Sequence, residues 1–174
     1  MKEELIFNVT LIFLYDIVSA MTNVIKTLKW LLIVGVFGSL IIPFLFGSDL
    51  FFPFITVKAY SFRILVEVLL GLWIILAIFN PAYRPKKSWI VWSFITFLVV
   101  ILIANLQGID FVKSFWSNYE RMEGYITLLH LFAYFLVVAC TLNSSKLWNI
   151  FWNYSIVLSV IHAGYALLQK AGVL

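Results

Sequence analysis

The chain has 174 residues, of which 64% are hydrophobic, 18% aromatic and 11% charged, with a mean hydropathy of +1.05. A soluble domain carries about twice that share of charge, so polar surface is too scarce here to coat a globule in water, and lipid must solvate most of the chain. The single cysteine, Cys140, excludes an intramolecular disulfide framework and a cysteine-based zinc site, while the net charge of +4 matters less than where the charges fall.

Residues 1–20 are apolar but short, begin with Glu3 and Glu4, and contain Asp16. They lack the basic leader of a signal peptide. Used as a span, they would carry Lys26 and Lys29 to the side of the membrane that the rest of the charge pattern disfavours. The expectation is therefore an N-terminal extension, either interfacial or disordered, with Met21 as an alternative natural start. Residues 21–174 then form the membrane part.

A transmembrane helix needs about 20 mostly apolar residues. Five stretches meet or approach that length: residues 30–46, 62–79, 89–106, 126–142 and 147–168. The expected fold is all-α, a polytopic bundle of about five membrane helices. Pro43 should kink the first span or mark its last turn, and Pro81 and Pro85 end the second. Lys26, Lys29, Arg84, Lys86, Lys87 and Lys146 fall on one side of this arrangement, with no acid beside them from Met21 onward. The opposite side holds a mixed set: Asp49, Lys58, Asp110, Lys113, Glu120, Arg121 and Glu123. By the positive-inside rule the basic side, with the N-terminus, is cytoplasmic. Trp30, Trp89 and Trp148 each open a span on that side, where an indole favours the headgroup layer.

Ionisable groups in or near spans are costly and point to function. Arg63 and Glu67 are four residues apart on one helix face, with Tyr60 nearby. They form either an internal ion pair or an anion site in which Arg63 grips a phosphate while Glu67 holds its geometry. His130 and His162 lie in the fourth and fifth spans with no carboxylate or nucleophile near them in sequence. A neutral histidine bonded to a neighbouring helix is the favoured reading of each. No metal-ligand spacing and no nucleotide-binding loop occurs, so no cofactor, metal or nucleic-acid partner is expected. Between the third and fourth spans lies SFWSNYERMEG, Ser114 to Gly124. If helical, it places Ser114, Ser117 and Arg121 on one face, and it is either a short interfacial helix or a charged lip over a membrane cavity.

The order LFFPFITVKAYSFRILVEVLL, RPKKS and GIDFVKSFWSNYERMEGYITLLHLFAYFLV, closing on YALLQKAGVL, resembles the O-antigen ligase and polymerase family of bacterial envelopes. The likeness runs from about Trp30 to the end and is most specific at S-F-W-S-x-x-x-R-x-E-G followed by Leu129 and His130. It implies a multi-pass protein of the bacterial inner membrane. Such proteins move a glycan from an undecaprenyl diphosphate carrier to an acceptor at the outer face, without metal. Arg121 and Arg63 become candidate diphosphate contacts, with Glu123, Glu67 and Gly124 in support. Family members have more spans and a large outer loop that carries a catalytic histidine. Neither His130 nor His162 matches that position, so no catalytic residue is transferred. The expectation is an N-terminal fragment of a longer protein, inactive alone. A small non-catalytic membrane protein for binding or assembly is the alternative, and half of a transporter is less well supported because no repeat is visible.

Overall fold

The computed structural model describes residues 2–45, 47, 52, 55–118 and 122–172, with side chains from Phe13 onward in the N-terminal helix. Six helices follow one another: α1 (Lys2–Ser39), α2 (Thr56–Phe79), α3 (Trp89–Leu106), the short α4 (Phe111–Trp116), α5 (Tyr125–Thr141) and α6 (Ser145–Lys170). No strand occurs among the described residues. Four of the helices are long and apolar enough to cross a membrane: α1 over Phe13–Ser39, α2, α3 and α6. The 17-residue α5 spans about 26 Å, at the lower limit for crossing the hydrocarbon core. The chain is a helical membrane bundle of about five spans.

Three of the connections carry their own cap residues. Asn80 ends α2, and its side chain accepts from the Ala82 amide at 3.0 Å in a 3₁₀ turn, Pro81–Tyr83. Ser88 caps α3 by accepting from Ile90 N, Asp110 caps α4 by accepting from Lys113 N, and Ser144 caps α6 by accepting from Leu147 N. Each satisfies an amide that the first helical turn leaves without an internal partner.

Helices α1, α2 and α5 form the centre. Leu32 and Val36 of α1, Leu69 and Leu76 of α2, Val137 of α5 and Leu142 just past its end are almost wholly buried together. Gly35 lets α1 approach α2 closely, since a methyl group there would press on the Leu69 side chain. Helices α3 and α6 are peripheral; among the described residues they bury only Leu98 and Phe151, respectively. Their remaining apolar surface is left for lipid, as expected where the solvent is as apolar as the side chains.

The first span differs from expectation. Of residues 30–46, only those up to Ser39 are α-helical, and the chain then passes through a turn into a 3₁₀ segment, Ile42–Phe44, with Pro43 in its middle. Proline lacks the amide a helix would use, so α1 stops before it rather than kinking. In the other direction α1 runs without interruption back to Lys2, so residues 2–20 are continuous with the first span in one helix. Its 38 residues extend about 57 Å, well beyond a membrane core. The Lys29 ammonium lies 6.0 Å from the centre of the Tyr83 ring, which sets this point of α1 level with the α2–α3 connection. The charges expected on one side are thus gathered at one end of the bundle. From Phe13 to Val24 every residue is exposed, because α1 has no neighbour there.

Near its other end, α1 is tied to α5 by a hydroxyl pair, Ser39 Oγ to Tyr134 OH at 2.6 Å, and Ser39 also donates to Val36 O. Interhelical hydrogen bonds in membranes contribute about 0.6 to 1.7 kcal/mol. Ser39→Ala should therefore lower the unfolding free energy in detergent by about 1 kcal/mol, and Tyr134→Phe by about the same. Because both changes break one bond, the double variant should lose little more than either alone.

Candidate functional site

At the end of the bundle opposite the lysine-rich one, the first turns of α2 and α5 run side by side and carry polar groups into the interface between them. Arg63 on α2 does not pair with Glu67. Its Nη2 donates to the Met122 carbonyl at 2.7 Å and to Thr127 Oγ1 at 2.8 Å, reaching across to the entry of α5. Thr127 Oγ1 also donates to Met122 O at 2.8 Å. The internal ion-pair reading is corrected for a geometric reason. The two side chains leave α2 on one face, but α5 lies against that face and offers each a partner that is better placed.

Glu67 finds His130 instead. Its Oε1 lies 3.2 Å from His130 Nε2, while His130 Nδ1 lies 2.7 Å from the Ile126 carbonyl one turn back on α5. A carbonyl only accepts, so Nδ1 must carry hydrogen. The Nε2–Oε1 contact then needs one further proton, held either by the imidazole as a cation or by the carboxyl group. His130 is therefore engaged with a carboxylate 63 positions away, a partner that no local pattern could reveal. The sequence signal available was depth: Glu67 and His130 both lie in the first half of their helices. His130 is largely buried, whereas Glu67 is 69% exposed and faces the outside of the bundle.

The segment leading into α5 is built around two unusual backbone positions. Helix α4 ends at Trp116, and Ser117 takes φ = 67°. Met122 takes φ = 53° and donates its amide to Asn118 O at 3.0 Å. Left-handed conformations are unfavourable for residues with a side chain and persist where surroundings enforce them. Here the enforcing contact is Arg63, whose guanidinium holds the Met122 carbonyl. A helix carrying Ser114, Ser117 and Arg121 on one face is not formed, since helical structure stops before Ser117. Arg121 lies outside the described residues. Glu123 is exposed and pairs with no described residue.

Gly124 is buried and caps α5. A methyl group there would collide with the Phe115 carbonyl, and would lie 2.6 Å from Trp116 C and 2.7 Å from Ser117 N. The close approach of two backbones, rather than a turn conformation, is why glycine stands at this position. Above it Phe115 packs against Tyr125 with ring centres 5.7 Å apart, and Tyr125 OH donates to Leu98 O at 3.2 Å, joining α5 to α3.

The residues brought together are thus Arg63, Glu67, Thr127, His130 and the Met122 carbonyl. One hydrogen-bonding group remains: Arg63 Nε is buried without a partner. His162 does not join them; it lies on α6 against the edge of Phe44, ring centres 5.0 Å apart. Among the described residues no three histidine, cysteine or acidic side chains converge as metal ligands. In comparisons with family models, curated proteins and solved structures, nothing matches this chain.

Proposed function

We propose that this chain is the N-terminal part of an O-antigen ligase-like glycosyltransferase of the bacterial inner membrane, and that its Arg63 contacts the diphosphate of a polyprenyl-linked glycan at the outer face. The observation that carries this reading is the state of the Arg63 guanidinium. Nη2 alone makes both internal hydrogen bonds, and Nε is buried without an acceptor. An unpaired buried donor on a permanent cation is costly, and an anionic ligand would remove that cost. Charge grows on the departing diphosphate during glycosyl transfer, so a fixed cation at that point lowers the barrier.

Arg63→Ala in the native membrane is expected to reduce glycan transfer by roughly 100-fold or more. Protein abundance should change far less. Arg63→Lys should also be poor, since an ammonium cannot present two donors in one plane. Parallel losses of transfer and abundance in both variants would reject the assignment.

A second reading rests on the same residue. Arg63 already fastens Met122 and Thr127, which fits a non-catalytic membrane protein for binding or assembly whose outer edge is simply held in shape. Under that reading Arg63→Ala reduces abundance, and glycan transfer does not depend on the chain at all.

A further inference from the structure

Two cavities flank Ser88 at the lysine-rich end of the bundle, and neither belongs to the outer polar cluster. One, of about 400 Å³, opens between the first turns of α3 and the last turns of α5. Its rim carries Arg84, Lys86, Ser88 and Asn143, and its walls are Ile90 and Val91 of α3 with Phe135, Leu136 and Ala139 of α5. The other, of about 570 Å³, is bounded by Lys87, Ser88, Trp89 and Trp92. These volumes lie within the range of small-molecule sites. Cationic at the mouth and hydrocarbon inside, the first cavity combines opposite chemistries over a short distance.

The charges are fixed or free in a useful way. Arg84 donates from Nε to Ala77 O at 2.9 Å, so its guanidinium is anchored at the end of α2. Lys86 and Lys87 are exposed and pair with no acid among the described residues. No acidic residue occurs in the sequence between Glu67 and Asp110, so nothing local neutralises them. The N-terminus of the 18-residue α3 adds its positive dipole end at the same mouth. Trp89 and Trp92 are largely exposed beside it, as side chains of the headgroup layer are.

We infer that the cleft between α3 and α5 binds one anionic phospholipid, its phosphate held at the rim by Lys86 and Arg84, with Lys87 adding charge from the neighbouring cavity beyond Ser88, and one acyl chain laid along Val91, Leu136 and Ala139. A zwitterionic lipid offers the same chains but carries its own cation, which these residues repel. A free phosphate satisfies the rim and leaves the apolar walls unused. The lipid is the occupant that matches both parts, and basic pockets between membrane helices are known to select anionic headgroups on this principle.

Native mass spectrometry of the full chain in detergent, titrated with dioleoyl phosphatidylglycerol or dioleoyl phosphatidylcholine, tests this. Phosphatidylglycerol should bind at least about tenfold more tightly, and Lys86→Ala with Lys87→Ala should weaken it roughly 30-fold, about fivefold for each cation. Ala139→Phe, which fills the apolar wall and leaves every charge in place, should weaken it as well, while Lys58→Ala at the opposite end should not. Equal retention of the two lipids would overturn the inference, as would an equal loss in Lys58→Ala. Displacement of the lipid by equimolar glycerol phosphate would show a phosphate site without a chain-binding part, and would also overturn it.

Discussion

Gly124→Ala should destabilise the full chain by about 3 kcal/mol, read as a lowered midpoint of denaturant unfolding in micelles. The added methyl group meets backbone on three sides: the Phe115 carbonyl, Trp116 C and Ser117 N. A flexible side chain can rotate away from such a contact, but a peptide group moves only if α4 shifts as a unit. That shift separates Phe115 from Tyr125 and loosens the Tyr125 bond to Leu98 O. Gly71→Ala provides the contrast. It lies inside α2 with nothing within 4 Å of the added atom, so it should be neutral or slightly stabilising, since alanine favours helix by up to about 1 kcal/mol over glycine. If both variants unfold at the same midpoint, the close packing of α4 on α5 is not what this glycine serves.

Glu67→Leu should cost about 1 to 2 kcal/mol, because it leaves His130 Nε2 largely buried without a partner. Glu67→Gln keeps a hydrogen-bonding group at the same place: Nδ1–H is committed to Ile126 O, and a glutamine amide can donate to Nε2. It should therefore cost clearly less than Glu67→Leu. Arg63, four residues earlier on α2, turns to Met122 and Thr127 instead of into the pair. The measurement is the unfolding free energy of both variants in micelles, and equal losses would show that His130 does not depend on a hydrogen-bonding partner at this position.

Much of the architecture was legible in the amino-acid sequence because the physics behind it is local. Long apolar runs and prolines in the breaks require no knowledge of neighbours. They determine an all-helical membrane bundle and where most of its helices stop. The grouping of Lys29 with Arg84, Lys86 and Lys87 was likewise readable, since charge stays out of hydrocarbon, and the Lys29–Tyr83 contact agrees with it. At the first span the local reading held in part: Pro43 signalled a stop, and the helix ends at Ser39, while residues 2–20 continue the same helix.

Tertiary structure alone decided the polar site. Spacing placed Arg63 and Glu67 on one helix face, but their partners are Thr127 and His130, over sixty positions away, because α5 runs along that face. The role of Gly124 was similarly invisible: its dihedrals suit any residue, and only the approach of the Phe115–Ser117 backbone excludes a side chain. Sequence by itself determined which residues must avoid lipid and which must seek it. Which polar groups then satisfy one another depends on how helices align in three dimensions, and a one-dimensional pattern carries no term for that alignment.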